Sequence, residues 1–346
     1  MAPKALIAMS GGVDSSVAAF LTQQAGFDCV GATMHLLERT SGDVEDARAV
    51  ANRLGIPFHV LDFTQAFRAE VMEDFVRCYE AGLTPNPCVV CNRRLKFGAL
   101  LDAGLSLGRD YVVTGPYAQI EEKSGRYLLK KAADPQKDQS YFLYSLTQQQ
   151  LRHVRFPLGG LTKEQARQVA EAQHFVNARK RDSQDICFIP GGDYFEFLKE
   201  FTGKDYPSGN FLDPDGKVVG KHQGAVAYTR GQRKGLGLAM GHPVYVLGKD
   251  MESNTVTVGE NNALFSTTLL ANDWIFGPFD SLEKPIHCFA KARSRMAEQP
   301  ATVYPEAKGI CRVVFDEPQR ALTTGQAVVL YDEDIVIGGG TITQIL

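Results

Sequence analysis

The residues best suited to chemistry fall into three groups. The first is Ser10, Gly11, Gly12, Val13, Asp14, Ser15 and Ser16, between an apolar run from Ala5 to Met9 and a helix-forming stretch from Val17 to Gln24. Adjacent glycines let a backbone turn tightly with its N–H groups inward, and the following helix adds the positive end of its dipole, so the segment reads as an anion cradle. The hydroxyls of Ser10, Ser15 and Ser16 add donors, and Asp14 is expected to orient the loop or to hold a magnesium ion. A P-loop kinase would place a lysine just before the final Ser or Thr, and this loop has none. The second group is Cys88 and Cys91 in a proline-bounded stretch, Thr84 to Asn92, which reads as a stiff loop presenting two thiols before a helix that starts at Arg93. A helix N-terminus with Arg93, Arg94 and Lys96 nearby is expected to bias both thiols towards thiolate, suited to nucleophilic or metal chemistry. The third is Cys187, at the end of a charged string from Arg179 to Asp185 that reads as an exposed loop. Structural zinc normally takes four ligands, and no second CxxC exists. Cys29, Cys78, Cys288 and Cys311 sit in apolar or amphipathic segments and read as small core residues, and the histidines show no ligand spacing.

The elements that must carry these groups alternate. Strands are expected at Ala5 to Met9, Cys29 to Met34, Phe58 to Leu61 and Tyr111 to Thr114, with helices at Ser15 to Gln24, Asp43 to Leu54, Gln65 to Ala81 and Arg93 to Leu107. Such alternation marks a parallel sheet with helices on both faces, and ligands of such sheets lie at the carboxyl ends of the strands. A helix from Lys163 opens with Thr162 and Gln165 in capping-box spacing, and another is expected over Asp193 to Phe201. Beyond residue 200 the chain turns to short β segments separated by Gly, Asn and Asp. The division expected is an α/β catalytic domain over residues 1–200, a small mixed β module over 201–265 and a C-terminal β-barrel over 266–346.

With 346 residues and a net charge of -3, the chain has room for a sizeable core and is no generally basic nucleic-acid coat. It lacks a transmembrane-length apolar run, which leads to the expectation of a cytoplasmic protein with reduced thiols. Basic clusters nevertheless adjoin the reactive strings: Lys130, Lys131 and Lys137; Arg152, His153 and Arg155; Arg179, Lys180 and Arg181; Arg230, Arg233 and Lys234; Lys291, Arg293 and Arg295. In concert they are expected to form a track for nucleic-acid phosphates.

The SGGVDSS string resembles the PP-loop of ATP pyrophosphatases, which split ATP between the α and β phosphates and adenylate a substrate; the fold this implies is adenine nucleotide alpha hydrolase-like. Together with TPNPCVVCN, KDQSYFLY from Lys137, DSQDICFI from Asp182, TRGQRKGLG from Thr229 and GGGTI from Gly338, it is similar in order and content to the tRNA-specific 2-thiouridylase family over essentially the whole chain. That resemblance implies ATP, with magnesium, on Ala8, Met9, Ser10, Gly11, Gly12, Val13, Asp14, Ser15, Met34 and Gly115. It implies adenylation of the C2 oxygen of the wobble uridine in the tRNAs for Lys, Glu and Gln, then sulfur transfer from a persulfide on Cys187. Cys91 would be the partner nucleophile, leaving a Cys91 to Cys187 disulfide, and the sulfur would come from a cysteine desulfurase or a relay protein. Asn86, Pro87 and Cys88 would meet the flipped base, and Pro116, Lys137, Asp138, Gln139, Arg293, Ser294 and Gln326 would contact tRNA. A monomer is expected. The chain departs from the usual family pattern at Ala8 for Gly, Cys88 for Asp, Pro116 for His and Ser294 for Tyr.

Three alternatives stay open at this level. Cys88, Cys91 and Cys187 could hold an iron-sulfur cluster that binds sulfide. The protein could be another PP-loop ligase that adenylates a small molecule. It could also be a nucleotide-sensing RNA-binding protein with a structural metal at the CxxC.

Overall fold

The computed structural model describes residues 2–37, 42–180 and 186–346. β1 (Lys4–Ala8), β2 (Asp28–His35), β3 (Phe58–Asp62) and β4 (Tyr111–Val113) are followed by a hairpin, β5 (Gln119–Lys123) and β6 (Arg126–Lys130), and by the short β7 (Val154–Arg155). Five of these make one parallel sheet in the order β3-β2-β1-β4-β7. β1 is central and its Ala5, Leu6 and Ile7 are fully buried, which is why it reads as a continuous apolar run and not an alternating one.

α1 (Val13–Gln24) and α2 (Asp43–Leu54) cross between these strands. α3 (Thr64–Phe67) and α4 (Glu73–Glu80) are joined by a π-helical turn at Arg68–Met72, so the single helix expected over Gln65 to Ala81 is present with a widened middle. α5 (Pro87–Cys91) continues through a π-helical stretch, Asn92–Ala99, into α6 (Leu100–Ser106). The expectation of a loop ahead of a helix at Arg93 is therefore corrected: the helix already starts at Pro87, whose fixed φ suits a first helical position. α7 (Ser140–Leu143), α8 (Gln148–His153), α9 (Lys163–Ala172) and α10 (Tyr194–Thr202) complete the helical part. α1 and α9 pack small residues, Ala18 and Ala19 with Ala166 and Ala170, over one face of the sheet, while Leu100 and Leu101 cover Leu6 and Val112 on the other.

Beyond α10, β8 (Gly209–Leu212), β9 (Val218–His222), β10 (Tyr245–Asp250) and β11 (Thr255–Gly259) form a mixed sheet in the order β10-β11-β8-β9, closed over Phe211, Val246 and Val256. The last part is a closed barrel of β12 (Phe265–Phe276), β13 (Ile286–Lys291), β14 (Gln299–Pro305), β15 (Cys311–Arg320), β16 (Ala327–Asp332) and β17 (Ile335–Ile345). Its order is β12-β15-β14-β13-β16-β17, and β12 pairs with β17 to close it. The β5–β6 hairpin, unforeseen in the sequence, is added to this barrel sheet through the pairing of Lys130 with Ile335. Tyr141, Leu143 and Leu146 from the α7 region share a core with Ala327, Val329 and Val336, so the first domain and the barrel are packed together.

α9 begins with the expected capping box: Thr162 Oγ1 accepts from Gln165 N at 3.2 Å and Gln165 Oε1 accepts from Thr162 N at 2.8 Å. Thr162→Ala should lower unfolding stability by about 1 kcal/mol, read by urea denaturation. An unchanged midpoint would show that the cap does not hold this helix.

Candidate active site

The chain reaches β2 and β3 on one side of β1 and β4 on the other, so the loops after β1 and β4 face each other across a topological switch point, where ligands of open α/β sheets bind. Gly11 has φ +73°, and a Cβ there would collide with the Asp43 backbone at the start of α2. Only glycine lets the loop pass beneath that helix. Gly12 differs: its φ is -89°, and an added Cβ would meet only Ser10 Oγ, at 3.5 Å. The tight turn expected of both glycines thus falls on Gly11. Ser15 Oγ accepts from Ser10 N at 3.1 Å and donates to the Gly12 carbonyl at 3.0 Å, which folds the loop back on α1. Gly12 caps α1 without a side-chain bond, leaving the first-turn amides from Val13 onward as donors for an anion. Gly115, after β4, packs so closely that a Cβ would lie 2.7 Å from the Asp14 carbonyl carbon. Ala8 ends β1, Met9 bonds to β2 through Ala32, and Met34 lies near the end of β2. The residues expected to take ATP are therefore gathered at one sheet edge.

Four further side chains, none of which the sequence singled out for the cradle, hold it. Lys163 Nζ, from the first turn of α9, donates to both Asp14 oxygens at 2.7 and 2.8 Å, and the Tyr117 hydroxyl donates to Oδ1 at 2.9 Å. Lys163 is 8% exposed, a burial that such a side chain tolerates when paired. Asp14 thus orients the loop. It does not fit a magnesium ligand, because a cation on its carboxylate would face the Lys163 ammonium. Asn177 Nδ2 donates to Gly11 O and Ser16 Oγ, both at 2.9 Å, and Lys180 Nζ donates to Gly11 O at 3.3 Å and to Asp43 and Asp46 at 2.6 Å. Periodicity gives no signal for these contacts, which bridge more than a hundred residues.

Cys91 is buried on α5 one turn after the exposed Cys88, and the exposed Cys187 lies in their electrostatic neighbourhood, closer in effect to Cys91 than to Cys88. Phe188 anchors Cys187: its ring meets Phe75 and Phe67 edge-on, with centroids 5.3 and 5.7 Å apart. Arg181, Asp182, Ser183, Gln184 and Asp185, the first part of the DSQDICFI string and one member of a basic cluster, lie outside the described residues. The expected bias towards thiolate is overturned. Desolvation in this recess pushes all three thiols up, Cys187 to about 11, with the neighbouring thiols adding to its rise and Lys96 and a backbone hydrogen bond opposing it. The arginines counted on to lower them are spent elsewhere, Arg93 on Asp273 at 2.5 Å and Arg94 on Glu70 at 3.2 Å. Among the described residues no group of three or more His, Cys, Asp or Glu side chains is placed to hold a metal ion. The iron-sulfur alternative on Cys88, Cys91 and Cys187, and the structural metal at the CxxC, therefore find no support in the geometry.

Several residues expected on the tRNA face are engaged internally. Asp138 accepts from Ser140 N, Ser140 Oγ and Ala132 N at 2.7 to 3.2 Å, and Gln139 exchanges bonds with Tyr117. Gln326 bonds to the turn before α5. In the basic clusters, Lys130 pairs with Glu121 and Asp334, Lys131 with Glu298, and Lys180 serves the cradle. Arg152, Arg179, Arg233, Lys234, Arg293 and Arg295 stay exposed, so any phosphate track is narrower than expected.

A phosphate cradle at the switch point of a parallel sheet, followed by two β modules, is the architecture of a PP-loop enzyme. Family models match residues 3–191 (tRNA methyl transferase HUP domain), 195–260 (tRNA methyl transferase PRC-barrel domain) and 266–342 (aminomethyltransferase beta-barrel domain). The tRNA-specific 2-thiouridylase MnmA of Acetivibrio thermocellus is 47% identical over 98% of this chain and 99% of its own. That of Carboxydothermus hydrogenoformans is 48% identical over 99% and 98%. The chain belongs to the tRNA-specific 2-thiouridylase family. A solved 4-thiouridine synthetase in complex with RNA and ATP is similar over 57% of this chain and 50% of that one, at 18% identity and a TM-score of 0.38.

Two outcomes follow from this geometry. Gly11→Ala should weaken ATP binding by at least about tenfold in calorimetric titration while Gly12→Ala stays within about twofold, because only the former needs a left-handed backbone. Equal losses would show that both glycines are sterically required. Alkylation of Cys187 by iodoacetamide, followed by peptide mass spectrometry, should accelerate about tenfold per pH unit from pH 8 to 10, since the thiol titrates only near 11 and just the thiolate reacts. A plateau below pH 9 would show an acidic thiol instead.

Proposed function

We propose that this protein installs sulfur at C2 of a tRNA uridine at the expense of ATP. The observation that carries the reading is the grouping of Cys88, Cys91 and Cys187 in one neighbourhood of a chain whose phosphate loop carries no lysine of its own; a ligase for small molecules has no use for paired thiols, and full-length relatives named 2-thiouridylases point the same way. The uridine C2 oxygen attacks the α phosphate of ATP, pyrophosphate leaves into the amides of the Ser10 loop, and the carbonyl oxygen becomes part of an AMP leaving group. The terminal sulfur of a Cys187 persulfide then attacks C2 and expels AMP. Cys91 thiolate attacks Cys187 Sγ, the bond to the transferred sulfur breaks, 2-thiouridine is released, and a Cys91–Cys187 disulfide remains for an external reductant.

The finer parts of this reading are the wobble uridine of the tRNAs for Lys, Glu and Gln as target, a persulfide from a cysteine desulfurase or a relay protein, and a monomer acting in the cytoplasm, where reductants keep thiols open. Magnesium would ride on the ATP phosphates and not on Asp14. Asn86, Pro87 and Cys88 are assigned to the flipped base, whose extraction from the stack costs a few kcal/mol. Among the described residues no helix is long and apolar enough to cross a membrane.

Incubation with ATP, unmodified tRNA and a persulfide donor tests the scheme. The wild type should yield AMP, pyrophosphate and thiolated tRNA; Cys187→Ser should accumulate adenylated tRNA without thiolation, and Asp14→Ala should lose adenylation. Thiolation by Cys187→Ser would refute the division of roles.

A further inference from the structure

The loop between β15 and β16 leaves the barrel and grips the turn that precedes α5. Thr84 N donates to Thr324 O at 2.9 Å, while Gln326 Nε2 donates to Thr84 O at 2.9 Å and to Pro85 O at 3.3 Å. Between them Gly325, at φ +87°, lies so close that a Cβ would fall 2.9 Å from Thr84 N and 3.0 Å from Thr84 O. The gripped segment, Thr84-Pro85-Asn86-Pro87, has two prolines and so two residues without an N–H, which leaves it few means of bonding to itself. The other end of α5 is held separately, by Asn92 Nδ2 donating to Phe142 O at 2.9 Å.

We infer that Gln326 is a positioning residue for the sulfur-transfer step. It fixes the Thr84–Pro85 turn and thereby the first turn of α5, so that Cys91 is presented to Cys187. Its amide nitrogen donates to two chain carbonyls, so its donor capacity is turned inward and not towards an RNA base. The barrel thus sets the aim of a thiol in another part of the chain. The inference rests on the reading of Cys91 and Cys187 as a reacting pair.

The test uses full-length protein without tRNA. Diamide takes two protons and two electrons from Cys91 and Cys187, forming a disulfide as its N=N bond is reduced, and peptide mass spectrometry follows the rate. Gln326→Met keeps the side-chain length and the backbone bond from Ile342 N to Gln326 O at 2.8 Å, so the loop stays anchored to β17. It should slow Cys91–Cys187 cross-linking by at least about tenfold, as a small misalignment of reacting groups does, with a tRNA Kd within about twofold of wild type. Gly325→Ala, which pushes on the same turn, should slow it likewise. Cross-linking at the wild-type rate in both variants would overturn the positioning role, and a raised tRNA Kd alongside it would make Gln326 an RNA contact only. If the wild type itself forms no such disulfide, the pairing of the two cysteines is what fails, and the inference falls with it.

Discussion

Lys163 and Asp14 form a partly buried ion pair that joins the first turn of α9 to the first turn of α1, with the Tyr117 hydroxyl as a third member. Each partner would be costly in that site without the other, so the pair fixes α9 and the segment around Tyr117 relative to the phosphate cradle. Gln139, bonded to Tyr117 through both backbone and side chain, extends the same constraint to α7 and so to the core shared with the barrel. A loop that carries no lysine of its own is in this way surrounded by lysines from elsewhere, Lys163 on one side and Lys180 on the other.

Four of the five strands of the first sheet, the cradle and the cap of α9 were legible in the sequence because each rests on a local rule: a continuous apolar run for a doubly covered strand, a glycine loop between strand and helix, Thr and Gln three residues apart; the short β7 was not. The fold of the second half was legible in kind, as short strands between turn residues, but not in pairing, since neither the parallel β8–β11 contact nor barrel closure by β12 and β17 leaves a local mark. The start of α5 was placed too late. Pro87 reads equally as loop punctuation and as a first helical residue, and only the packed structure decides.

The electrostatics of the thiols were the least legible part. Arg93 and Arg94 stand next to Cys91 in sequence, yet Asp273 on the barrel and Glu70 near α4 claim them, and neither partner can be inferred from spacing. Burial then outweighs the remaining cation, Lys96. A recess of this kind keeps resting thiols protonated and slow towards electrophiles until a base or a bound partner draws off the proton.

The β5–β6 hairpin has a bearing on how this chain can be divided. It belongs by sequence to the first domain and by hydrogen bonding to the barrel sheet, since Lys130 pairs with Ile335. A fragment ending after the second β module would leave β6 with an open edge and Tyr141 and Leu146 without the wall formed by Ala327, Val329 and Val336, and such edges invite self-association. The three parts are consecutive along the chain, yet the first and the last share a core and a sheet pairing.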